Sequence, residues 1–342
     1  MTIASEQCGR PNGSNMFRCK ACNNTKSYYS FKTREMMFGF REEFAYDECS
    51  NCGSLQIAEI PRDLSKYYPP DYYSFSGQKA SLLKRLLKRK RASHALGQDN
   101  VIGSLLVRLY GIPMLVDWVK RLDIGLDIDV DQAILDIGCG TGQLLLEMHY
   151  AGFSNLTGVD KYIEEDIHYT TGVVILKRTV DEIDGAYDLV MLHHSLEHMP
   201  EPVETLKHVH RLLKPRGFGL LRLPVAGSYA WRVYKTDWVQ LDAPRHLFLP
   251  TEKGVMILAR RAGLEVLDVT YDSTGFQFWG SEQYTRDIPL RRDKRSHEMN
   301  PRRSIFTQDE LQRFRTKAEI LNVNKDGDAA CYYLRRSNLR ST

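Results

Sequence analysis

Ala133-Ile-Leu-Asp-Ile-Gly-Cys-Gly-Thr-Gly142 decides how this chain folds. Three apolar residues run into Asp136. Gly138, Gly140 and Gly142 follow at alternate positions, and Gln143-Leu-Leu-Leu-Glu-Met148 continues with helical character. The expectation is a buried strand, a tight turn and a helix start. Glycine is needed where φ turns positive and where a ligand must approach the backbone without meeting a Cβ. The spacing is G-x-G-x-G, not the G-x-G-x-x-G that lays a pyrophosphate on a helix N-terminus. An acid just ahead of the turn also disfavours a phosphate and favours a ligand carrying positive charge.

Working outward, Asn155-Leu-Thr-Gly-Val-Asp160 reads as a second strand ending in a carboxylate. An acid about twenty residues beyond the glycines, at a strand's C-terminal end, is placed to accept hydrogen bonds from ribose hydroxyls. Further strands are expected at Gly172–Leu176, Tyr187–Leu192, Gly217–Leu223, Leu264–Thr270 and Asp328–Leu334. Between the fourth and fifth, Val203, Leu206, Val209 and Leu213 repeat at helical spacing. Strands alternating with helices imply a mostly parallel sheet with the ligand at the carboxyl ends of its strands. Taken alone, the glycine motif would also suit another doubly wound nucleotide binder. The ordered series that ends in Tyr187-Asp-Leu-Val-Met-Leu-His-His-Ser-Leu-Glu-His-Met-Pro200 and Leu212-Leu-Lys-Pro-Arg-Gly217 resembles the motifs of class I S-adenosylmethionine-dependent methyltransferases. The resemblance implies an α/β, Rossmann-like, seven-stranded sheet and a sulfonium cofactor. Carried over, it assigns that cofactor to Asp136, Gly138, Cys139, Gly140, Gly142, Asp160, Lys161, Thr179, Val180, His193 and His194.

Cys19-x2-Cys22 and Cys49-x2-Cys52 form the second strong signal. Four thiolates in two C-x-x-C pairs satisfy a tetrahedral Zn²⁺ and leave no open position, which is a structural site. A thioredoxin-type redox motif needs one pair in a βαβ context. Disulfides are disfavoured by the lack of a secretory signal and by the odd total of seven cysteines, which leaves Cys8, Cys139 and Cys331 unpaired. A nucleic-acid-binding ribbon would need a basic face. Here Lys26, Lys32, Arg34 and Arg41 alternate with Glu35, Glu42, Glu43 and Asp47, so nucleic acid is not the expected partner.

Methyl transfer from a sulfonium is an in-line displacement, and an alcohol acceptor must lose a proton as the bond forms. His194, Glu197 and His198 stand at i, i+3 and i+4, one face of a helical turn that suits two-His-one-carboxylate metal ligation. The set resembles the Glu-x-x-Glu-His of metal-dependent O-methyltransferases acting on catechols or on the terminal ribose of small RNA, with His194 replacing the first Glu. The plainer reading has Glu197 and His198 capping a helix and lining the cofactor pocket. Beyond the fifth strand, Trp231, Tyr234 and Trp238 offer aromatic faces, and Asp242, Arg245 and His246 a polar cluster. Flat faces beside a carboxylate and an imidazole suit a sugar; an ordinary lid core would account for the tryptophans alone. His246 is the expected general base, because an imidazole near its ordinary pKa takes a proton at neutral pH. His194, as a metal ligand or cofactor-pocket residue, and Asp242 are the other candidate catalytic residues.

With 342 residues and 42% hydrophobic content, two domains and a globular enzyme are expected. The net charge of +4 is too small to imply a polyanionic partner. Charge is nevertheless uneven: Lys79–Arg91 carries seven basic residues and no acid, with leucines at helical spacing. That run suits either a linker helix packed by its leucines or a helix lying on an anionic membrane. The chain therefore divides into a tail (1–16), a four-cysteine zinc module (17–60), a linker with basic and apolar helices (61–120) and a methyltransferase domain (121–342). Insertions near 225–250 and 272–328 read as a substrate-side cap. The architecture resembles bacterial methyltransferases of polysaccharide and deoxysugar biosynthesis. That likeness implies a sugar hydroxyl or carbon as acceptor and a cytoplasmic enzyme, with an optional contact at the membrane's inner face. The competing class is a zinc-ribbon nucleic-acid binder.

Overall fold

A computed structural model of the chain describes residues 7–8, 17–69, 82–121 and 131–337. Part of the Tyr/Pro connector and Lys79 of the basic run lie outside them. The N-terminal part contributes β1 (Gln7–Cys8), β2 (Tyr28–Arg34), β3 (Glu43–Cys49) and β4 (Leu55–Ile57), then α1 (Leu82–Ala95), α2 (Val101–Tyr110) and α3 (Met114–Arg121). There follow β5 (Ile134–Ile137), α4 (Gln143–Ala151), β6 (Leu156–Val159), β7 (Ile167–His168), β8 (Val174–Leu176), β9 (Tyr187–His193), α5 (Pro202–Leu212), β10 (Leu213–Pro224) and α6 (Tyr229–Tyr234). The chain continues with β11 (Phe248–Leu249), α7 (Glu252–Arg261), β12 (Leu264–Tyr271), α8 (Phe276–Thr285), α9 (Gln308–Val323) and β13 (Ala329–Arg336).

The seven expected strands pair as one sheet in the order β12-β13-β10-β9-β5-β6-β8, to which β7 adds an antiparallel edge. β10, β9, β5, β6 and β8 run parallel, and β13 is antiparallel to both of its neighbours. All four residues of β5 are buried, as a strand covered on both faces must be. Leu206 and Val209 of α5 with Val255 and Leu258 of α7 cover one face. Val116 and Val119 of α3 with Leu145 and Met148 of α4 cover the other. This is the Rossmann-like α/β architecture anticipated.

A second sheet, β1-β2-β3-β4-β11, joins the cysteine-bearing segment to the insertion after β10. β11 pairs antiparallel with β4, Phe248 opposite Gln56 and Leu249 opposite Leu55. A sheet edge exposes unpaired N–H and C=O groups, and β11 covers this one. The N-terminal segment and the catalytic domain thus share backbone hydrogen bonds as well as packing.

Candidate active site

The glycine turn shows why each glycine is there. Gly138, Gly140 and Gly142 all have positive φ, at 75°, 55° and 77°. A Cβ on Gly138 would lie 2.5 Å from Ser195 Cβ, and one on Gly142 would lie 2.4 Å from Ile175 Cδ1. Close packing therefore demands these two glycines even before a ligand arrives. Gly140 N donates to Asp160 Oδ2 and Tyr162 N to Oδ1, both at 2.8 Å, so Asp160 ties the loop after β5 to the loop after β6. Asp136 is only 2% exposed, and its Oδ1 has no hydrogen-bond partner among the described residues. Burial, with the nearby Asp160 charge, pushes its carboxyl up to about 8. A buried carboxyl of this kind favours a positive charge nearby.

A cavity of about 740 Å³ opens at this end of the sheet. Of the residues assigned to the cofactor from sequence, Gly138, Gly140, Asp160, Lys161, Thr179, Val180 and His194 line it. Asp136, Cys139, Gly142 and His193 do not. Gly142 starts α4. Cys139 Sγ packs toward β6, where a Cβ on Gly158 would come within 2.5 Å of it. His193 stacks on Trp118, with ring centroids 4.6 Å apart, and burial drives its imidazole well below the usual value. For Asp136 in β5 and His193 in β9 strand alternation explains the correction, because adjacent residues leave a strand on opposite sides. The sequence reading omits Tyr162 and Arg178, and also the wall formed by Arg62, Leu64 and Tyr68. Tyr162 and Arg178 carry a usable signal, since each follows the end of a parallel strand. The N-terminal wall has no local signal.

The histidines are arranged differently from the helical spacing expected. His194 has φ 50°, and Leu196–His198 is a single 3-10 turn. His194 Nδ1–H donates to Glu197 Oε1 at 3.2 Å, while Arg222 Nη1 donates to His194 Nε2. Both ring nitrogens are spent, so His194 is not the ligand anticipated. The donor atoms that do converge belong to Glu197, His198 and His246, all within 4.8 Å of one another. His246 Nδ1–H donates to the Gln240 carbonyl at 2.7 Å, and His198 Nδ1–H to the Arg245 carbonyl at 2.9 Å. Each carbonyl leaves the opposite lone pair, on Nε2, as the atom that can hold a ligand, and His246 Nε2 lies 3.8 Å from Asp242 Oδ2. Glu197 is fully buried, and its Oε2 has no partner among the described residues. Burial raises its carboxyl, but the hydrogen bond from His194 and the neighbouring histidines outweigh that and hold it low. Burial and the adjacent His246 lower the His198 imidazole. His198 reaches the cavity wall. Its ring lies 4.7 Å from that of His246, which is not among the lining residues.

The sugar-binding aromatics turn out to be core. Trp238 is fully buried and donates from Nε1 to Asp328 Oδ2 at 2.9 Å. Trp231 packs on it and on Phe31, and Tyr234 hydrogen-bonds Glu282. Trp231 and Trp238, enclosed in this way, offer no free face to a polyol, and Tyr234 is half-buried. Asp242 and Arg245 form a buried ion pair. Burial raises the Asp242 carboxyl, but Arg245 more than offsets this and holds it below its ordinary value. The 272–328 insertion supplies α8 and α9, which pack through Phe278 and Phe314, and none of its residues lines the cavity.

At the N-terminal end, Cys19 Sγ and Cys52 Sγ are 3.5 Å apart, and Cys22 Sγ and Cys49 Sγ 3.6 Å. A Zn–S bond of about 2.3 Å in tetrahedral geometry puts sulfurs roughly 3.8 Å apart, so the donor set fits zinc. Of the module's basic residues, Lys32 pairs with Glu43, and Arg34 and Arg41 share Asp287.

Residues 80–269 match the family model described as a methyltransferase domain. The ubiquinone biosynthesis O-methyltransferase of Pseudomonas aeruginosa (strain UCBPP-PA14) is 31% identical over 178 residues, covering 46% of this chain and 73% of that protein. The enzyme of the same name from Bordetella avium is 28% identical over 174 residues, covering 45% and 69%. A solved S-adenosylmethionine-dependent methyltransferase from Mesorhizobium loti overlaps 64% of this chain and 96% of its own, with TM-score 0.40 and 17% identity. The two relatives from Pseudomonas and Bordetella are named as O-methyltransferases of ubiquinone biosynthesis and not as sugar methyltransferases. The glycine turn, the strand order and the span matched by the family model converge, and the chain belongs to the methyltransferase-domain family as an S-adenosylmethionine-dependent enzyme.

Proposed function

We propose that the methyl acceptor is a hydroxyl group, and that Glu197, His198 and His246 hold a divalent cation beside it. The observation that carries this reading is the pairing of an unpartnered, fully buried Glu197 Oε2 with two imidazoles whose Nδ1 protons are committed to backbone carbonyls. A buried carboxylate without full compensation is costly, and a cation among three such donors removes the cost. When bound, the cation supplies Lewis-acid polarisation of an acceptor oxygen. Two-His-one-carboxylate sites leave coordination positions open, which suits an acceptor with adjacent oxygens such as a catechol or a vicinal diol. The ubiquinone biosynthesis O-methyltransferases among the relatives support O-methylation. A polysaccharide acceptor has lost its support with the burial of Trp231 and Trp238.

In this reading Gly138, Gly140, Lys161, Thr179 and Val180 enclose the cofactor. Asp160 accepts from its ribose, and Asp136, buried outside the cavity lining, acts on its positive charge through space. Arg222 and Glu197 lock His194 against the cavity. His246 then acts as a ligand and not as the free base, because one lone pair cannot do both. Zinc at Cys19, Cys22, Cys49 and Cys52 holds the N-terminal fold. We extend the proposal to the α1–α2 hairpin. Gly103 lets α2 lie against Lys90 and His94 of α1, and the outer side exposes Leu83 and Leu86 beside Lys84, Arg89 and Lys90. Val101, Ile102, Leu105 and Leu109 of α2 are also exposed. Apolar side chains ringed by cations suit an anionic lipid surface. No helix among the described residues is long and apolar enough to cross a membrane.

The deciding experiment is Mn²⁺ binding followed by electron paramagnetic resonance, alongside turnover of a catechol and of a ribose-terminated RNA. Wild type should bind one Mn²⁺ and lose turnover to a chelator under conditions that leave the zinc content intact. Glu197→Gln and His246→Ala should lose the Mn²⁺ while keeping cofactor affinity. Full turnover in chelator with either variant would overturn the reading.

A further inference from the structure

We infer that the N-terminal module is a working part of the methyl-transfer site: Glu35 and Tyr46 position His198 and His246 through Arg245 and the 242–247 loop. The inference rests on the reading of those histidines given above. Glu35 follows β2 and is fully buried. Its Oε1 accepts from Phe38 N at 2.9 Å and from Arg245 Nη1 and Nη2 at 3.2 Å, and its Oε2 accepts from Phe40 N at 2.9 Å. Arg245, also fully buried, donates from Nε and Nη2 to Asp242 at 2.9 and 2.5 Å and from Nη1 to the Tyr67 carbonyl at 3.3 Å. Its guanidinium sits over Phe38. A guanidinium gripped on three sides has one place to be, and so has its own backbone.

The Arg245 carbonyl accepts His198 Nδ1–H, which sets that ring's tautomer and angle. One residue on, Tyr46 of β3 donates from its hydroxyl to the His246 carbonyl at 2.8 Å. Leu247 N then donates to the Glu197 carbonyl at 2.7 Å, and Ile57 N to the Leu247 carbonyl at 3.0 Å. Next come the β4–β11 pairs, and Thr251 Oγ1 donates to the Cys52 carbonyl at 2.5 Å. The loop that carries His246 is therefore held from the N-terminal module at Glu35, Tyr46, Ile57 and Cys52. Its catalytic-domain anchors are the Glu197 carbonyl and the Gln240 carbonyl that receives His246 Nδ1–H. Leu290 and Arg291 of the 272–328 insertion donate to the Met36 and Met37 carbonyls, bracing the Glu35 turn from outside. That gives the insertion a purpose although it does not line the cavity described above.

Partners that orient active-site ligands typically contribute roughly ten- to hundredfold to activity or metal affinity. The test uses the full-length protein with its zinc. Tyr46→Phe removes one hydroxyl and no volume; Glu35→Gln keeps the shape and removes the charge opposite Arg245. Both should lower kcat about tenfold or more and weaken Mn²⁺ binding. KM for S-adenosylmethionine should stay within about twofold, and the zinc content should be unchanged. Arg34→Ala breaks an exposed ion pair across the same junction and should leave kcat unchanged. If Tyr46→Phe, folded and zinc-loaded, turns over at the wild-type rate while His246→Ala is inactive, the positioning inference fails and the histidine site stands. If His246→Ala is itself fully active, the site reading fails first.

Discussion

The glycine turn and the His198–His246 cluster are assembled in opposite ways. The turn is local: Gly138, Gly140, Gly142 and Asp160 come from one β-α-β unit, and short contacts such as Gly140 N to Asp160 bind it together. The cluster is distributed, drawing Glu197 and His198 from the loop after β9 and His246 from the insertion after β10, with Glu35 and Tyr46 reaching in from the N-terminal module. A local site fails when its own backbone is disturbed. A distributed site also fails when something far away in the sequence lets go.

The sharpest break of this comparison is Gly138→Val. It combines positive φ with a Cβ 2.5 Å from Ser195 Cβ. Strain and overpacking together should cost about 3 kcal/mol or more. Urea unfolding should show that loss, and calorimetry should show no cofactor binding. Next in size, His198→Ala should lower single-turnover rates by about a hundredfold or more while cofactor affinity holds, whereas His194→Ala should lose less than about tenfold. Equal losses would mean that the distributed set has been drawn wrongly.

A pH experiment separates the two regions without a mutation. The Asp136 carboxyl lies at about 8 in the folded, ligand-free protein against an ordinary 3.8, so it is protonated at neutral pH. A group raised in this way stabilises the fold below its unfolded pKa, and that contribution is lost as pH rises through about 8. A cationic ligand needs the carboxylate, so its binding must release the proton. S-adenosylmethionine affinity should therefore rise with pH up to about 8, by at most about tenfold per unit, and then level off. Asp136→Asn should abolish the slope, and a pH-independent affinity in wild type would contradict the role given to Asp136.

The smallest effect concerns the α1–α2 hairpin. Wild type should co-sediment with vesicles containing anionic phospholipid at low salt and be released at high salt. Leu105→Glu with Leu109→Glu should weaken this several-fold with turnover unchanged. Equal sedimentation of the variant, or self-association that it abolishes in light scattering, would assign the face to something other than lipid.

Much of the cofactor half is legible in the sequence because backbone geometry there is dictated by residue type. Only glycine tolerates the turn, alternation of apolar strands and helices defines the sheet, and paired C-x-x-C announces a thiolate cluster. The acceptor half misleads at particular residues. Trp231 and Trp238 look like a sugar platform, because an aromatic run in an insertion is written the same way whether its rings face a ligand or the core. His194 reads as a ligand on helical spacing, but its positive φ and the 3-10 turn after it rotate the side chains out of that register.

From sequence alone came the class I sheet, the glycine–acid cofactor motif, the four-cysteine cluster, and a metal set of His194, Glu197 and His198 with His246 apart as the base; nothing in the spacing groups Glu197, His198 and His246. Tertiary structure alone decided that these three meet, that Arg222 takes His194 out of the set, and that Glu35 and Tyr46 reach the loop bearing His246. The physical reason is range. Dihedral preference and periodicity act over a few residues and are written in neighbouring letters. A buried ion pair between residues 35 and 245 exists only after the N-terminal strands have met the insertion after β10 through β4 and β11, and no spacing in the chain encodes that closure.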